Sequence, residues 1–368
     1  MTPKERILSA IKHEQCDTIP TDMWATPEVQ EMLFEHFGIE AGKKTADPGI
    51  ELGGGSLSRG PEAILKLWKI LGIDGIFHIA PPYIGPERKT ANGISYNEWG
   101  FGYKTQKYGT GEYKEQVVWP MADISTPEEV VNYPWPDPDW YDYEWLPKLA
   151  SRCEGRALAC GYSAVFFYHN LLRGLELSLV DPVLNPEITS LIIAKLTKFF
   201  MEYHTRCFKE LRGLAHITQV TDDFGSQNGL LISPQIFRDF YKEPMQRLIN
   251  LAKSYGLFVF HHDDGDCRLL VPELVDMGID ILNPIQWRCG DWDLAGLKRD
   301  FGDRVCFHSA VDNQITLAFG TPAEVKQQVK MLIDRLYTNR TGFILGPCHN
   351  LQPNTSVENI VALYEAAK

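Results

Sequence analysis

None of the eight cysteines in this 368-residue chain forms a Cys-x-x-Cys pair, and their spacing follows no regular pattern. A disulfide framework is thereby set aside, and reduced thiols are expected, most of them small core residues. Basic residues never gather into a block: 36 Lys and Arg face 48 Asp and Glu, for a net charge of −12. Nucleic-acid affinity depends on a positive face, so that partner class is excluded. The longest apolar runs, such as 256–260 with its flanks, fall far short of the ~18 residues that cross a bilayer. The opening MTPKERILSAIKHEQ reads as an amphipathic polar helix and not as a signal peptide. No membrane partner and a cytoplasmic location are therefore expected. Phosphate loops are missing too, since no GxGxxG follows a strand, no GxxxxGK[ST] occurs, and Gly53-Gly54-Gly55 lacks the lysine.

Helix starts, by contrast, are well signalled. Thr2-Pro3-Lys4-Glu5, Thr126-Pro127-Glu128-Glu129 and Thr321-Pro322-Ala323-Glu324 each supply an N-cap, a proline at the first helical position and a capping-box carboxylate. Ser233-Pro234 opens a further helix with an apolar stripe through Ile236, Phe237, Phe240, Tyr241, Met245, Leu248 and Ile249, which Pro244 is expected to kink. Between helices lie eight short apolar runs, at 18–24, 75–79, 157–161, 217–221, 257–261, 279–282, 305–308 and 343–345. Near-continuous apolar strands alternating with helices imply a parallel sheet buried on both faces, and eight of them point to a closed barrel. An open doubly wound sheet is the alternative, and the missing dinucleotide fingerprint counts against it. The expected fold is α/β, a single (β/α)8 TIM barrel domain over 1–368. It carries an N-terminal helical extension and a long aromatic-rich excursion after an early strand, at about 81–150. Trp99, Trp119, Trp135, Trp140 and Trp145 fall in that excursion, which reads equally as a lid over the barrel mouth or as a layer packed on its side.

Barrel chemistry sits at the C-terminal strand ends. Here those ends carry Asp222-Asp223-Phe224-Gly225, His261-His262-Asp263-Asp264-Gly265, His308-Ser309-Ala310-Val311-Asp312 and Gly346-Pro347-Cys348-His349-Asn350. Polar groups on apolar strands are costly unless paired or ligated. His262 and Asp264, two apart on a strand, face the same side, and Cys348 from the last strand completes a three-ligand set with an open position, as in catalytic zinc. The competing reading makes His262 a hydrogen-bonded core histidine and Cys348 a packing residue. A fourth protein ligand from Asp222, Asp223 or His349 would turn the set into a structural site. His261 faces the other way. Of Asp222 and Asp223, one is expected at the mouth and the other capping a turn. His308 and Asp312 read as a hydrogen-bonded pair, and His169 and Asn170 as loop packing.

Four segments together resemble the uroporphyrinogen decarboxylase superfamily: TPKERILSAIKHEQCDTIP, DDFGSQNGLLISPQIFRDFYKEPMQRL, the His-x-x-Gly strand end, and GPCHNLQPNTSVENIVALYEAA. The likeness spans almost the whole chain and implies a (β/α)8 barrel, in agreement with the strand count. The decarboxylases of the family carry an Arg-Gln-Ala-Gly-Arg-Tyr segment that clamps the acidic tetrapyrrole, where this chain has Thr21-Asp22-Met23-Trp24-Ala25-Thr26. Without that cationic clamp, porphyrinogen decarboxylation is not expected.

The corrinoid-dependent methyltransferase branch has His-x-Cys-Gly followed much later by Cys. His262 and Cys348 match, while Asp264 stands where thiol-activating members have Cys. A carboxylate in place of a thiolate makes a harder zinc, suited to polarising oxygen. The resemblance therefore implies a zinc-dependent O-demethylase component that moves a methyl group from a methoxylated, aromatic substrate to cobalamin. The chain has no Asp-x-His-x-x-Gly, so the corrinoid is expected on a separate, transiently docked corrinoid protein. In this scheme His262, Asp264 and Cys348 hold zinc, Asp223 and His308 act on the substrate's second oxygen, and Tyr83, Trp99, Phe166, Tyr168 and Asp222 line the substrate. Three alternatives stand beside it: a methyl-corrinoid:thiol methyltransferase, a metal-free decarboxylase-like enzyme, and a non-enzymatic corrinoid or tetrapyrrole carrier.

Overall fold

The computed structural model describes residues 1–40, 49–53, 55–108, 111–153 and 155–368. Gly54 of the triple-glycine run, and residues 109–110 of the excursion, lie outside them. Seven parallel strands form the wall: β1 (Ile76–Ile79), β2 (Ala157–Ser163), β3 (Ile217–Val220), β4 (Phe258–His262), β5 (Ile281–Asn283), β6 (Cys306–His308) and β7 (Phe343–Ile344), paired in that order. The eighth stave is the extended segment 20–22. Thr21 bridges Leu345 in parallel, the Asp22 N–H donates to the Leu345 carbonyl at 2.9 Å, and the Gly75 N–H donates to the Thr21 carbonyl at 3.0 Å. All eight apolar runs are thus staves of one closed barrel.

The barrel interior is packed by Ile76, Ala157, Ala159, Ile217, Phe260, Ile281, Cys306 and Ile344. Helix Pro3–Ile11 places Ile7, Ala10 and Ile11 in the same cluster and so plugs one end, while Trp24 lies over the other. The three Thr-Pro-x-Glu starts form capping boxes, with Thr2, Thr126 and Thr321 each accepting the N–H of the glutamate three residues on. Pro244 acts one turn upstream: the backbone opens into a π-turn at Phe237–Tyr241 before helix Lys242–Ser254, because residue 244 has no N–H to return to the preceding turn.

The excursion folds as a four-stranded antiparallel sheet (Thr90–Ala91, Ile94–Tyr96, Gly102–Tyr108 and Gly111–Val118) followed by helix Pro127–Asn132 and two short turns. Tyr83 bridges Tyr141, and Trp99 packs on Phe199 with ring centroids 4.7 Å apart. The excursion is thereby held against the barrel side and walls a cavity at the mouth. No single helix among the described residues is long and apolar enough to cross a membrane.

Burial pushes the ring pKa values of His78, His169, His204 and His261 down from 6.5 to about 4. Such rings contribute their full stability above the ordinary value and lose it as the pH falls toward the folded one. Thermal melts between pH 7.5 and 4.5 are therefore expected to show Tm falling steadily below about pH 6.5, at up to about 3 kcal/mol per ring by pH 4. A flat Tm over that window would show that these rings are not buried neutral.

Candidate active site at the barrel mouth

His262 ends β4. Its backbone N–H donates to Thr221 Oγ1 at 2.9 Å, and strand alternation places Phe260 in the barrel interior below it and sends its ring into the mouth. The next turn reverses at Gly265, whose φ of +83° favours glycine and whose Cβ would lie 2.5 Å from the Ser226 carbonyl oxygen. That close approach of two loops brings Asp264 over the barrel. His262 Nε2, Asp264 and His349 Nε2 gather with their ligand atoms all within 4.8 Å of one another. His262 Nε2 lies 3.7 Å from Asp264 Oδ1, His349 Nε2 lies 3.5 Å from Asp264 Oδ2, and Asp223 Oδ1 is 3.8 Å from His262 Nε2.

A buried chain of hydrogen bonds fixes the state of His262. Asp22 Oδ2 faces His308 Nε2 at 3.1 Å, His308 Nδ1 faces Asn283 Nδ2 at 2.7 Å, and Asn283 Oδ1 faces His262 Nδ1 at 2.6 Å. Only one proton assignment satisfies every link. His308 donates to the carboxylate, the Asn283 amide donates to His308, and His262 donates from Nδ1 to the Asn283 oxygen, so that Nε2 faces the cavity. Burial lowers the pKa of this ring, but the Asp264 and Asp223 charges and the Asn283 hydrogen bond raise it above its ordinary value. Burial alone would push the Asp22 carboxyl up, but the hydrogen bonds from His308 and from the Ile76 N–H hold it below the ordinary range. Burial raises Asp223, and the Asp264 charge adds to the rise while His262 opposes it.

The inner cavity of about 380 Å³ is lined by Trp24, Glu51, His78, Tyr162, Asp223, His262 and His349 among others, and by no Lys or Arg among the described residues. Trp24 forms its floor, stacked on Phe260 at 6.0 Å and 5.6 Å from the His262 ring, with Nε1 donating to Asp22 Oδ2 at 3.1 Å. A larger outer cavity of about 830 Å³ shares Glu51, Ala80, Tyr162 and Tyr203 with it and includes Tyr83, Trp99 and Tyr168 in its lining.

Several site expectations need correction. Cys348 turns away, with Sγ 3.6 Å from the Ile285 carbonyl, and its neighbour His349 enters the cluster instead. Adjacent residues of an extended strand end point to opposite sides, so the chain presents one or the other. His308 is fully buried beneath Asn283 and touches no cavity; it pairs with Asp22 and not with Asp312, which binds Arg288 at 3.0 Å. Asp222 is also buried. Its oxygens accept the N–H groups of Phe166 and Phe167 at 3.1 and 2.7 Å and cap helix Val165–Arg173. Phe166 packs in the core, stacked on Phe224 at 5.1 Å. Asp223 is the aspartate at the mouth, and His261 is structural, its Nδ1 2.9 Å from the Val220 carbonyl. Asp22, Trp24, Glu51 and Asn283 carried no recognisable motif. The only sequence signal of Asp22, Trp24 and Asn283 is position, at or beside a stave end; Glu51 lies outside the eight runs and has none.

The sequence profile of the family described as uroporphyrinogen decarboxylase (URO-D) matches residues 172–368. The chain belongs to the URO-D family. Its fold is shared with a methyltransferase from Methanosarcina mazei, at 17% identity over 100% of this chain and 98% of that one, with a TM-score of 0.64. A B12-independent methionine synthase from Shewanella sp. W3-18-1 is more distant, at 11% identity over 95% and 96% of the two chains and a TM-score of 0.46. No curated protein matches the sequence.

In this URO-D-family barrel the mouth fits a divalent metal of the zinc type. Asp264 Oδ1 is buried without a hydrogen-bond partner, His262 Nε2 lies 3.7 Å from it, and two imidazoles with one carboxylate form a recurrent catalytic zinc set. His349 is the least poised donor, because its Nδ1 accepts the Asn350 N–H at 2.7 Å, which leaves the proton on Nε2. Metal analysis is expected to find about one zinc per chain, lost in His262→Ala and Asp264→Ala and retained in Cys348→Ala. Asn283→Ala should weaken zinc about 10- to 100-fold in competition with a chromophoric chelator. Loss of zinc in Cys348→Ala would restore the thiolate to the ligand set.

Proposed function

We propose that this protein is a zinc-dependent methyltransferase that takes a methyl group from a methoxylated, aromatic substrate and delivers it to the cobalamin of a separate corrinoid protein. The observation that carries the reading is His262 Nε2, turned by Asn283 toward the unpartnered Asp264 oxygen, in a cavity lined by no cationic side chain among the described residues. A tetrapyrrole polycarboxylate has no counter-charge there. His262, Asp264 and His349 would hold the zinc, which would supply Lewis acidity to an ether oxygen and so make a phenolate a viable leaving group.

The remaining work falls to the chain itself. Trp24 and the barrel core beneath it exclude water from the floor. Asp223 accepts a hydrogen bond from a hydroxyl beside the methoxy group and sets the substrate's rotation. Asp22, His308 and Asn283 act through His262 by holding its ring and tautomer. Tyr83, Trp99 and Tyr168 supply aromatic wall to the outer part of the substrate. The C–O bond would break with its electron pair remaining on oxygen, and the reduced cobalt of the partner's corrinoid would be the methyl acceptor. The corrinoid protein docks transiently at the open mouth.

Anaerobic incubation with cob(I)alamin and a panel of methoxyaromatics, followed by absorbance, tests the reading. Methylation of cobalt is expected, abolished by chelator, and slowed about tenfold or more by Asp223→Asn, the cost of one hydrogen bond to a charged group. Methyl transfer from methylcobalamin to a thiol without any demethylation, or turnover indifferent to chelator, would sink it.

A further inference from the structure

The outer cavity contains a feature that ether cleavage does not use. Its lining combines the rings of Tyr83, Trp99, Tyr141, Tyr162, Tyr168 and Tyr203 with three carboxylates, Glu51, Glu87 and Glu98, against one guanidinium, Arg88. The protein already seats a cation of its own here. Arg88 lies 4.1 Å over the Tyr83 ring centroid and pairs with Glu98 Oε2 at 2.9 Å, while Tyr141 donates to Glu98 Oε1 at 2.8 Å.

Glu98 is thereby compensated, and Glu51 is not. Strand Ile50–Leu52 buries Ile50 and Leu52, and its alternation turns Glu51 to the opposite side, into the waist shared by the two cavities. Among the described residues no Lys or Arg pairs with it, and the inner cavity offers none. Glu51 is exposed to the cavity space, and desolvation by the surrounding wall raises its carboxyl above the ordinary range. Burial also pushes the phenols of Tyr162 and Tyr203 far up, so both present neutral rings whose faces attract cations.

We propose that the waist beside Glu51, Tyr162 and Tyr203 is a subsite for an alkylated ammonium group, so that the small molecule taken by this barrel carries a positive charge distal to its reacting methyl group. An aromatic cage with one carboxylate selects such a group over a neutral isostere by charge, and over an anion by repulsion. The assignment of the reacting end rests on the methyl-donor reading; the binding of the cation does not.

Isothermal titration of the purified full-length protein with choline, its neutral isostere 3,3-dimethylbutanol and benzoate separates the cases. Choline is expected to bind at least tenfold more tightly than the neutral isostere, with benzoate undetected. Glu51→Gln and Tyr162→Leu, each checked by thermal melt, are each expected to weaken choline about tenfold or more. Equal binding of choline and dimethylbutanol, preference for benzoate, or choline affinity unchanged in Glu51→Gln would overturn the subsite. Demethylation of neutral methoxyaromatics without choline binding removes the subsite and leaves the proposed function standing. Glu51-dependent choline binding in a protein without methyl transfer does the reverse.

Discussion

The buried carboxylate of Asp22 holds both the barrel seam and the active-site geometry. It accepts from the Ile76 N–H, from Trp24 Nε1 and from His308 Nε2, at 3.0, 3.1 and 3.1 Å, while its backbone joins Leu345 and its carbonyl accepts the Tyr364 hydroxyl at 2.9 Å. The first stave has few ladder bonds of its own, so the side chain supplies part of what a regular strand would. A carboxylate this deep is tolerable only with its lone pairs filled, and losing one partner of such a group costs on the order of 3–5 kcal/mol. The same group that closes the barrel therefore fixes the floor tryptophan and the first link of the chain leading to His262.

Along that chain each link constrains the next. The Asn283 amide has two ends, one donating and one accepting, and it converts the demand of His308 for a donor into a demand that His262 present its Nδ1 proton inward. Nε2 then faces Asp264 and Asp223, whose charges repel each other in a partly desolvated mouth. The pushed-up carboxyl of Asp223 and the unpartnered oxygen of Asp264 are two signs of one condition, negative charge gathered where no Lys or Arg among the described residues offsets it. A divalent cation relieves that condition directly, and a cationic substrate group relieves its counterpart at Glu51.

The excursion extends this arrangement outward. Its sheet gives the mouth a tall wall, and its aromatic residues meet helix Pro186–Glu210 through Trp99, Tyr141, Phe199 and Tyr203. Strand Ile50–Leu52, running antiparallel to β1, carries Glu51 into the gap between wall and barrel. The outer cavity thus lies between two insertions and one side of a regular barrel, with Glu51 and Glu98 supplied by the insertions, Tyr162 by stave β2 and Tyr203 by helix Pro186–Glu210.

Sequence by itself determined the barrel. Apolar runs of strand length, alternating with helices whose starts carry Thr-Pro-x-Glu, leave few other ways to bury both faces of a parallel sheet, and each of the eight runs is a stave. It also pointed to His262 and Asp264 lying together, although the loop turn at Gly265, and not a strand period, places Asp264 there, and to Asp223 and Asp222 being placed differently, though not which of them faces the mouth. Only the tertiary structure decided which neighbour at 348–349 faces the mouth, since a shift of one residue reverses an extended chain and a family motif does not reveal that shift. It alone joined Asp22 to His308 across 286 residues, set Asn283 between two histidines and brought Glu51 to the waist of the cavities. Those contacts arise when the barrel closes and the excursion folds back, and sequence spacing records neither event.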